Sequence, residues 1–200
     1  MIDTEALRKK IIELAIQGKL TDQKPEDGNA LAFIKKCNSN IDKEAIIKAN
    51  KPFGIPSNWQ WCRFSDIVDF RLGKTPPREN NSYWKNGLYP WVSIGDIGKH
   101  GIIDSTKELI TQKAVKDCFS QGVSKAGTLI MSFKLSIGKV SILGIDAYHN
   151  EAIISIIPKY DEKNFVRDYL FYILPMVAAN TKSHGAIKGN TLNKARQSII

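Results

Sequence analysis

Apolar side chains recur with a helical period at the start of the chain. Residues 3–17 place four of them on one helical face: Leu7, Ile11, Leu14 and Ala15. Asp3 or Thr4 can cap this helix at its N-terminus, and Gly18 suits the position just after its last turn. The pattern therefore predicts an amphipathic helix over residues 3–17.

Two shorter helices and a change of composition follow. Helical segments are predicted at 30–37 and 42–49, separated by the polar sequence CNSN. The sequence PFGIPSN at 52–58 then brings two prolines and a glycine close together, which is typical of a boundary. We therefore predict an N-terminal helical segment at 1–51 and a second domain at 52–200.

From Trp59 onward the apolar residues form short runs of the strand type. Two strands, or a strand and a turn, are predicted at 61–64 and 67–70. Further strands are predicted at 90–94, 128–133, 139–143 and 152–157, with a last one beginning at 195. Helices are predicted at 111–119, with Thr111 as a possible N-cap, and at 165–174, where Pro175 ends or kinks the helix and a short one can follow.

Strands and helices mix without a regular βαβ rhythm. The predicted fold class is therefore α+β: a mixed or antiparallel β-sheet domain with flanking helices, preceded by the N-terminal helical segment.

The charge of the chain lies mainly after Lys51. The net charge is +9, and residues 51–150 carry 13 basic and 8 acidic side chains. A field of this sign favours polyanionic partners, although an anionic membrane surface would also be attracted. No apolar run approaches the roughly 20 residues that a membrane-spanning helix needs, and no signal peptide is evident at the N-terminus. Three widely spaced cysteines without a CxxC pair favour the reducing cytoplasm over a disulfide framework or a zinc site.

Catalytic signatures are sparse. Asp146, His149 and Glu151 form the one compact acid–histidine cluster, which could serve a metal-dependent nuclease. The sequence favours a structural or hydrogen-bonding role for His149, because its segment is also typical of the end of a core strand. The sequence GKTPP lacks the upstream glycine of a phosphate loop, so no nucleotide cofactor is predicted, nor any other cofactor or metal.

The region from Trp59 to Asp96 contains all four tryptophans and a polar loop between two apolar runs, residues 71–87. Cations and amides held out by aromatic anchors suit contacts to phosphates and base edges. Arg78 could bind a guanine edge, and Asn80 or Asn81 an adenine edge. Trp84 and Trp91 are instead expected to be core anchors that set the shape of the loop. The candidate DNA-binding residues are Lys74, Thr75, Arg78, Asn80, Tyr83, Lys85, Ser93, Lys99, Lys134, Ser136, Lys139, Lys182, Lys188 and Asn190.

Eight short motifs, in order, resemble the specificity (S) subunits of type I restriction–modification systems. They are NW-x-W at 58–61, G-x-TP at 73–76, YW at 83–84, PW-x-S-x-GDI at 90–97, AGTLIMSF at 126–133, SIGKV at 136–140, HNEAIISIIP at 149–158 and GNTLNKAR at 189–196. The sequence LRKKIIELAIQGKL also resembles the end of the helical spacer of that family. A helix packed on its own domain is an equally good interpretation of that segment.

The resemblance implies a non-catalytic domain that recognises one half of a bipartite site in double-stranded DNA. It implies methyltransferase subunits and a separate restriction subunit as partners, and no membrane. Because one recognition domain is present, we expect either a fragment or a half-subunit that needs a second recognition domain. Two other functions stay open: a metal-dependent nuclease, and a non-specific basic nucleic-acid-binding domain.

Overall fold

The computed structural model describes residues 3–41, 51, 53–98, 101–134 and 138–182. These residues fall into two compact units, one ending at Val68 and the other beginning at Asp69. The predicted helix at 42–49 and the predicted strand from 195 lie outside the described residues. The predicted boundary between the helical segment at 1–51 and the domain at 52–200 stays a prediction.

In the first unit, helix α1 spans Thr4–Ile16, as predicted. The Asp3 carboxylate caps it by accepting hydrogen bonds from the backbone N–H groups of Glu5 and Ala6, at 3.1 and 3.0 Å. Gly18 adopts a φ of +65°, the left-handed conformation that glycine tolerates after a helix end. Helix α2 spans Ala30–Cys37 and also confirms its prediction.

The segment predicted as a strand at 61–64 is not one. A four-residue helix, α3, spans Phe64–Ile67 instead. The carboxylate of Asp66 explains it, because it accepts a hydrogen bond from the Arg63 backbone N–H at 3.0 Å and another from the Asn38 side chain at 2.9 Å. This side chain is 2% exposed and organises a helical turn that the apolar pattern does not reveal. Strand β1 then spans Val68–Leu72, close to the strand predicted at 67–70.

The remaining elements belong to the second unit. Its strands are β2 (Tyr89–Val92), β3 (Ile102–Ile103), β4 (Glu108–Ile110), β5 (Leu129–Ser132), β6 (Val140–Leu143), β7 (Tyr148–His149) and β8 (Ile153–Pro158). Helix α4 spans Gln112–Cys118, with the Thr111 hydroxyl as the predicted cap, and helix α5 spans Phe165–Lys182. The predicted strands near 90, 129, 140 and 153 are thereby confirmed.

Among the described residues, the strands form two mixed sheets, which confirms the α+β class. One has the order β1-β8-β5-β6-β3 and the other the order β4-β2-β7. In the first, β5 pairs antiparallel with both β6 and β8, whereas β3 joins β6 in parallel. In the second, β2 is antiparallel to β4 and parallel to β7.

The core of the second unit forms around β5. All four residues of this strand are buried, as expected for a strand that is covered on both faces. Ile130 packs in a cluster with Val92 from β2 and Ile153 from β8. Because this cluster joins Val92 at the end of β2 to strands of the other sheet, it holds β2 in place. The candidate site lies in the loop before β2 and in the turn after β7.

The prediction was that Pro175 ends or kinks helix α5, and the helix continues through it, so of these two alternatives the end is wrong. Proline costs a helix one hydrogen bond, but apolar residues are buried on both sides of it, including Leu174 and Ala178. Their packing outweighs that loss. In the described part of the chain, no helix combines the length and the apolar character that crossing a bilayer requires.

Candidate nucleic-acid interface

Two indole N–H groups hold the loop at residues 71–87. Trp91, on β2, is fully buried, and its Nε1 donates a hydrogen bond to the Lys74 carbonyl at 3.0 Å. Trp84 donates from its Nε1 to the Pro77 carbonyl, also at 3.0 Å. The two rings meet edge to face with centroids 5.1 Å apart. The predicted role of both tryptophans as anchors of the loop is consistent with these contacts.

The far end of the loop is fixed to the segment before α4. A 3-10 turn spans Asn81–Tyr83, and the Asn80 side chain caps it by accepting hydrogen bonds from the Ser82 N–H and hydroxyl at 3.1 and 2.7 Å. Thr111 donates from its backbone N–H to the Tyr83 carbonyl at 2.9 Å. The Tyr83 hydroxyl donates to Asp117 at 3.1 Å, a hydrogen bond that raises the pKa of the phenol.

Arg78 lies on the aromatic surface of this loop. Its guanidinium forms a two-pronged ion pair with Glu108 of β4, with Nη2 and Oε2 3.1 Å apart. The guanidinium carbon stands 3.9 Å from the ring centroid of Trp84 and 4.7 Å from that of Trp91. The side chain is still half exposed. Arg78 is therefore held in one position and partly neutralised, and its predicted contact with guanine stays a prediction.

The start of the loop is bonded to the turn between β7 and β8. The Lys74 N–H donates to the His149 carbonyl at 2.8 Å, and the Gly73 N–H donates to the Ile153 carbonyl at 3.2 Å. A side chain at Gly73 would not fit, because its Cβ would stand 2.1 Å from the His149 carbonyl oxygen. The Thr75 hydroxyl donates to Glu151 and accepts a hydrogen bond from the Asn150 side chain at 3.0 Å.

His149 is part of a buried hydrogen-bonded chain with two serines. Its Nε2 lies 2.8 Å from the Ser155 hydroxyl, which lies 2.7 Å from the Ser124 hydroxyl. All three side chains are at most 4% exposed. Burial lowers the pKa of His149 to about 4, so the imidazole is neutral near pH 7. These contacts agree with the predicted structural role of His149.

The nuclease cluster suggested by the sequence does not assemble. Asp146 forms an ion pair with Lys125 at 2.8 Å, which lowers the pKa of the carboxyl, and Glu151 is bonded to Thr75. Each member of the cluster thus has a different partner. Nowhere in the described ranges do three His, Cys, Asp or Glu side chains form a group that could hold a metal ion.

The other candidate residues fall into three groups. Lys74, Lys85 and Lys134 are exposed, and within the described residues none of them forms an ion pair. Ser93 donates its hydroxyl to Asp96 at 2.7 Å, and Lys139 is half buried at the β5–β6 turn, where its N–H bonds the Ser132 hydroxyl. Four candidates lie outside the described residues: Lys99, Ser136, Lys188 and Asn190. For Lys182 only the backbone, at the end of α5, is described.

A cleft that no sequence pattern predicted lies beside the start of the loop. This cleft has a volume of about 160 Å³ and is lined by residues that include Arg71, Lys74, Ser120, Gln121, Tyr148 and His149. The segment at 118–124 that supplies one wall shows no charge run or aromatic pattern. The sequence signal for this wall is the polar tripeptide SQG at 120–122, and the same tripeptide is equally typical of an ordinary turn.

Comparison with known proteins identifies the class. A family model described as the type I restriction modification DNA specificity domain matches residues 56–199. The chain belongs to this family, as its motifs indicated.

Specificity subunits are among its relatives. The chain is 31% identical over 121 residues to the type I restriction enzyme MjaIX specificity subunit of Methanocaldococcus jannaschii, covering 60% of this chain and 27% of that protein. It is 34% identical over 134 residues to the EcoAI specificity subunit of Escherichia coli, covering 56% of this chain and 23% of that protein. The chain therefore spans about a quarter of the length of these curated relatives.

A solved structure shares the fold. The crystal structure of an HsdS subunit from Thermoanaerobacter tengcongensis superimposes with a TM-score of 0.52 at 17% identity. The match covers 98% of this chain and 43% of that one.

The buried indole of Trp91 yields a stability prediction. Replacing Trp91 with alanine should lower the free energy of unfolding by about 3–5 kcal/mol, because a large cavity forms and the Lys74 carbonyl loses its donor. Urea unfolding followed by circular dichroism measures this change. Leu88, which is 81% exposed, is the control, and Leu88→Ala should cost under about 0.5 kcal/mol. Equal effects of the two substitutions would contradict the anchoring role of Trp91.

The low pKa of His149 yields a pH dependence. Above pH 6.5, its ordinary pKa, neither the folded nor the unfolded state binds the proton. Between pH 6.5 and about 4 only the unfolded state binds it, so stability should fall as the pH falls, by on the order of 3 kcal/mol in all. Unfolding curves at several pH values for wild type and His149→Gln test this. In the variant, the free energy of unfolding should fall less between pH 6.5 and about 4 than in wild type. An unchanged pH dependence would exclude His149 as its source.

Proposed function

We propose that this chain is a DNA target recognition module of a type I restriction–modification specificity subunit. It recognises one half of a bipartite site in double-stranded DNA, and residues 52–200 form the recognising domain. The observation that carries the proposal is the 71–87 loop, which two tryptophan N–H groups hold in shape while Lys74 and Lys85 stay exposed and unpaired within the described residues. Membership of the specificity-domain family supports the same function.

A preorganised loop of this kind suits sequence recognition. Base discrimination requires donors and acceptors at fixed positions, and a loop that is already ordered loses little conformational entropy on binding. The guanidinium of Arg78 is held against two indole rings, in reach of solvent through the exposed half of its side chain. Exposed lysines beside it would bind phosphates and set the register of the loop on the duplex.

The module works within a larger assembly in this proposal. Methyltransferase subunits carry out the modification, a restriction subunit performs cleavage, and a second recognition domain or half-subunit reads the other half-site. The chain itself is a non-catalytic specificity component without a cofactor and acts in the cytoplasm. The nuclease alternative has lost its support, because the partners of Asp146, His149 and Glu151 account for each of them separately.

A domain exchange tests the proposal in cells. Residues 52–200, which include every residue that the family model matches, replace one recognition domain of a functional type I specificity subunit. Methylated adenines are then mapped across the genome in the presence of the methyltransferase subunits. The hybrid should methylate a new bipartite motif in which one half is unchanged. The parent subunit is the control.

Two results would contradict sequence recognition. Methylation that vanishes although the hybrid folds and assembles would remove the proposed function. Methylation without any preference at the exchanged half-site would favour the non-specific basic domain instead.

The exposed lysines yield a second prediction. Lys74→Ala and Lys85→Ala should each weaken DNA binding by the 200-residue chain and reduce the salt dependence of the binding constant by about one phosphate contact. Neither should change stability by more than about 0.5 kcal/mol, since both side chains are exposed. Fluorescence anisotropy over a range of salt concentrations measures binding. Lys35→Ala, on helix α2 of the first unit, is the matched control and should bind like wild type.

A further inference from the structure

Arg71 is a half-buried cation at the base of the 71–87 loop. It lies on β1, and its Nη1 donates a hydrogen bond to the Val123 carbonyl at 3.1 Å. Within the described residues it has no carboxylate partner, in contrast to Arg78. Burying part of a guanidinium without a counter-ion is costly, which favours an anionic ligand as its missing partner.

The surroundings of Arg71 are those of an anion site. It lines the 160 Å³ cleft together with Lys74, and none of the residues that line the cleft is Asp or Glu. Ser120 and Gln121 also line the cleft and are exposed, and in the described part of the chain their N–H and hydroxyl groups donate to no protein acceptor. Two cations and several uncommitted donors therefore face one small concavity.

Neighbouring groups do not oppose an anion there. Helix α4 ends beside the cleft, but the carbonyl of Val115 accepts from the Phe119 N–H and that of Phe119 accepts from the Gly122 N–H, both at 3.1 Å. The negative end of the helix is thus partly satisfied within the chain. His149 is neutral, and the nearby charge of Arg71 is, after burial, one of the causes of its low pKa.

We propose that this cleft binds one phosphate group of the DNA backbone, with the Arg71 guanidinium as the main ligand and the Lys74 ammonium beside it. The inference rests on the proposed DNA recognition and adds a contact that the sequence did not identify. Arg71 projects from a strand of the sheet and not from the tip of the loop. A phosphate bound there fixes the register of the duplex against the 71–87 loop. The phosphate contact by itself carries no sequence information.

The test uses the 200-residue chain and a duplex that contains the half-site found by the domain exchange. In a series of duplexes, one backbone phosphate at a time is replaced by an uncharged methylphosphonate. Wild type should lose at least fivefold in affinity at one position. Arg71→Gln should bind the unmodified duplex at least fivefold more weakly, with a salt slope shallower by about 1, and should lose nothing further at that position.

Two variants serve as controls. Lys116→Gln removes one charge from helix α4 outside the cleft and should retain the methylphosphonate sensitivity of wild type. Arg71→Lys keeps the charge and should retain most of the salt slope. If Arg71→Gln fails to fold, the scan on wild type is still a test. The proposal is overturned if wild type shows no phosphate position at which the methylphosphonate weakens binding more than twofold.

The possible failures can be told apart. Equal binding by Arg71→Gln and wild type, with the half-site still preferred, overturns the phosphate site and leaves the proposed function intact. Wild type that binds no DNA overturns both. A further experiment titrates the chain with inorganic phosphate at matched ionic strength. The NMR chemical shifts of the Ser120 and Gln121 amides report the binding. Saturation of these shifts by inorganic phosphate, without a response to DNA, would assign the cleft to free phosphate and overturn the DNA contact.

Discussion

The candidate interface depends on two hydrogen bonds from indole N–H groups to carbonyls of one loop. Trp91 is the more important donor, because it is fully buried and bonds Lys74 at the point where the loop leaves the sheet. A buried N–H needs an acceptor, and a loop carbonyl at this position needs a donor, so each fixes the other. Trp84 repeats the contact at Pro77. The aromatic core thus determines the shape of a polar surface loop.

Charge along this surface is divided between paired and unpaired cations. Arg78 is neutralised in part by Glu108 and lies close to both indole rings, and these contacts give it a fixed direction. Lys74 and Lys85 carry point charges on flexible side chains. Arg71 is recessed and lines the cleft beside the neutral His149. Rigid cations suit the reading of base edges, whereas flexible or recessed ones suit phosphates. In the proposed function, this arrangement separates specificity from affinity.

The sequence predicted features that arise from local patterns, and missed those that arise from distant partners. The helix caps at Asp3 and Thr111 and the apolar strands near 129 and 153 follow from neighbouring residues. The two-residue strands β3 and β7 are too short for any alternation to reveal them. The pairing of Arg78 with Glu108 joins residues thirty positions apart, and the Arg71 cleft joins β1 to the segment after α4. No local pattern encodes either arrangement.

Amide hydrogen exchange on the 200-residue chain, with and without the half-site duplex, tests the central claim most directly. If the indole-held loop is the DNA-reading surface, amides within 71–87 and 118–124 should exchange at least tenfold more slowly with DNA, and a scrambled duplex should protect them less. The buried strands β5 and β8 should exchange alike in both states. Protection confined to segments outside these two ranges would contradict the account.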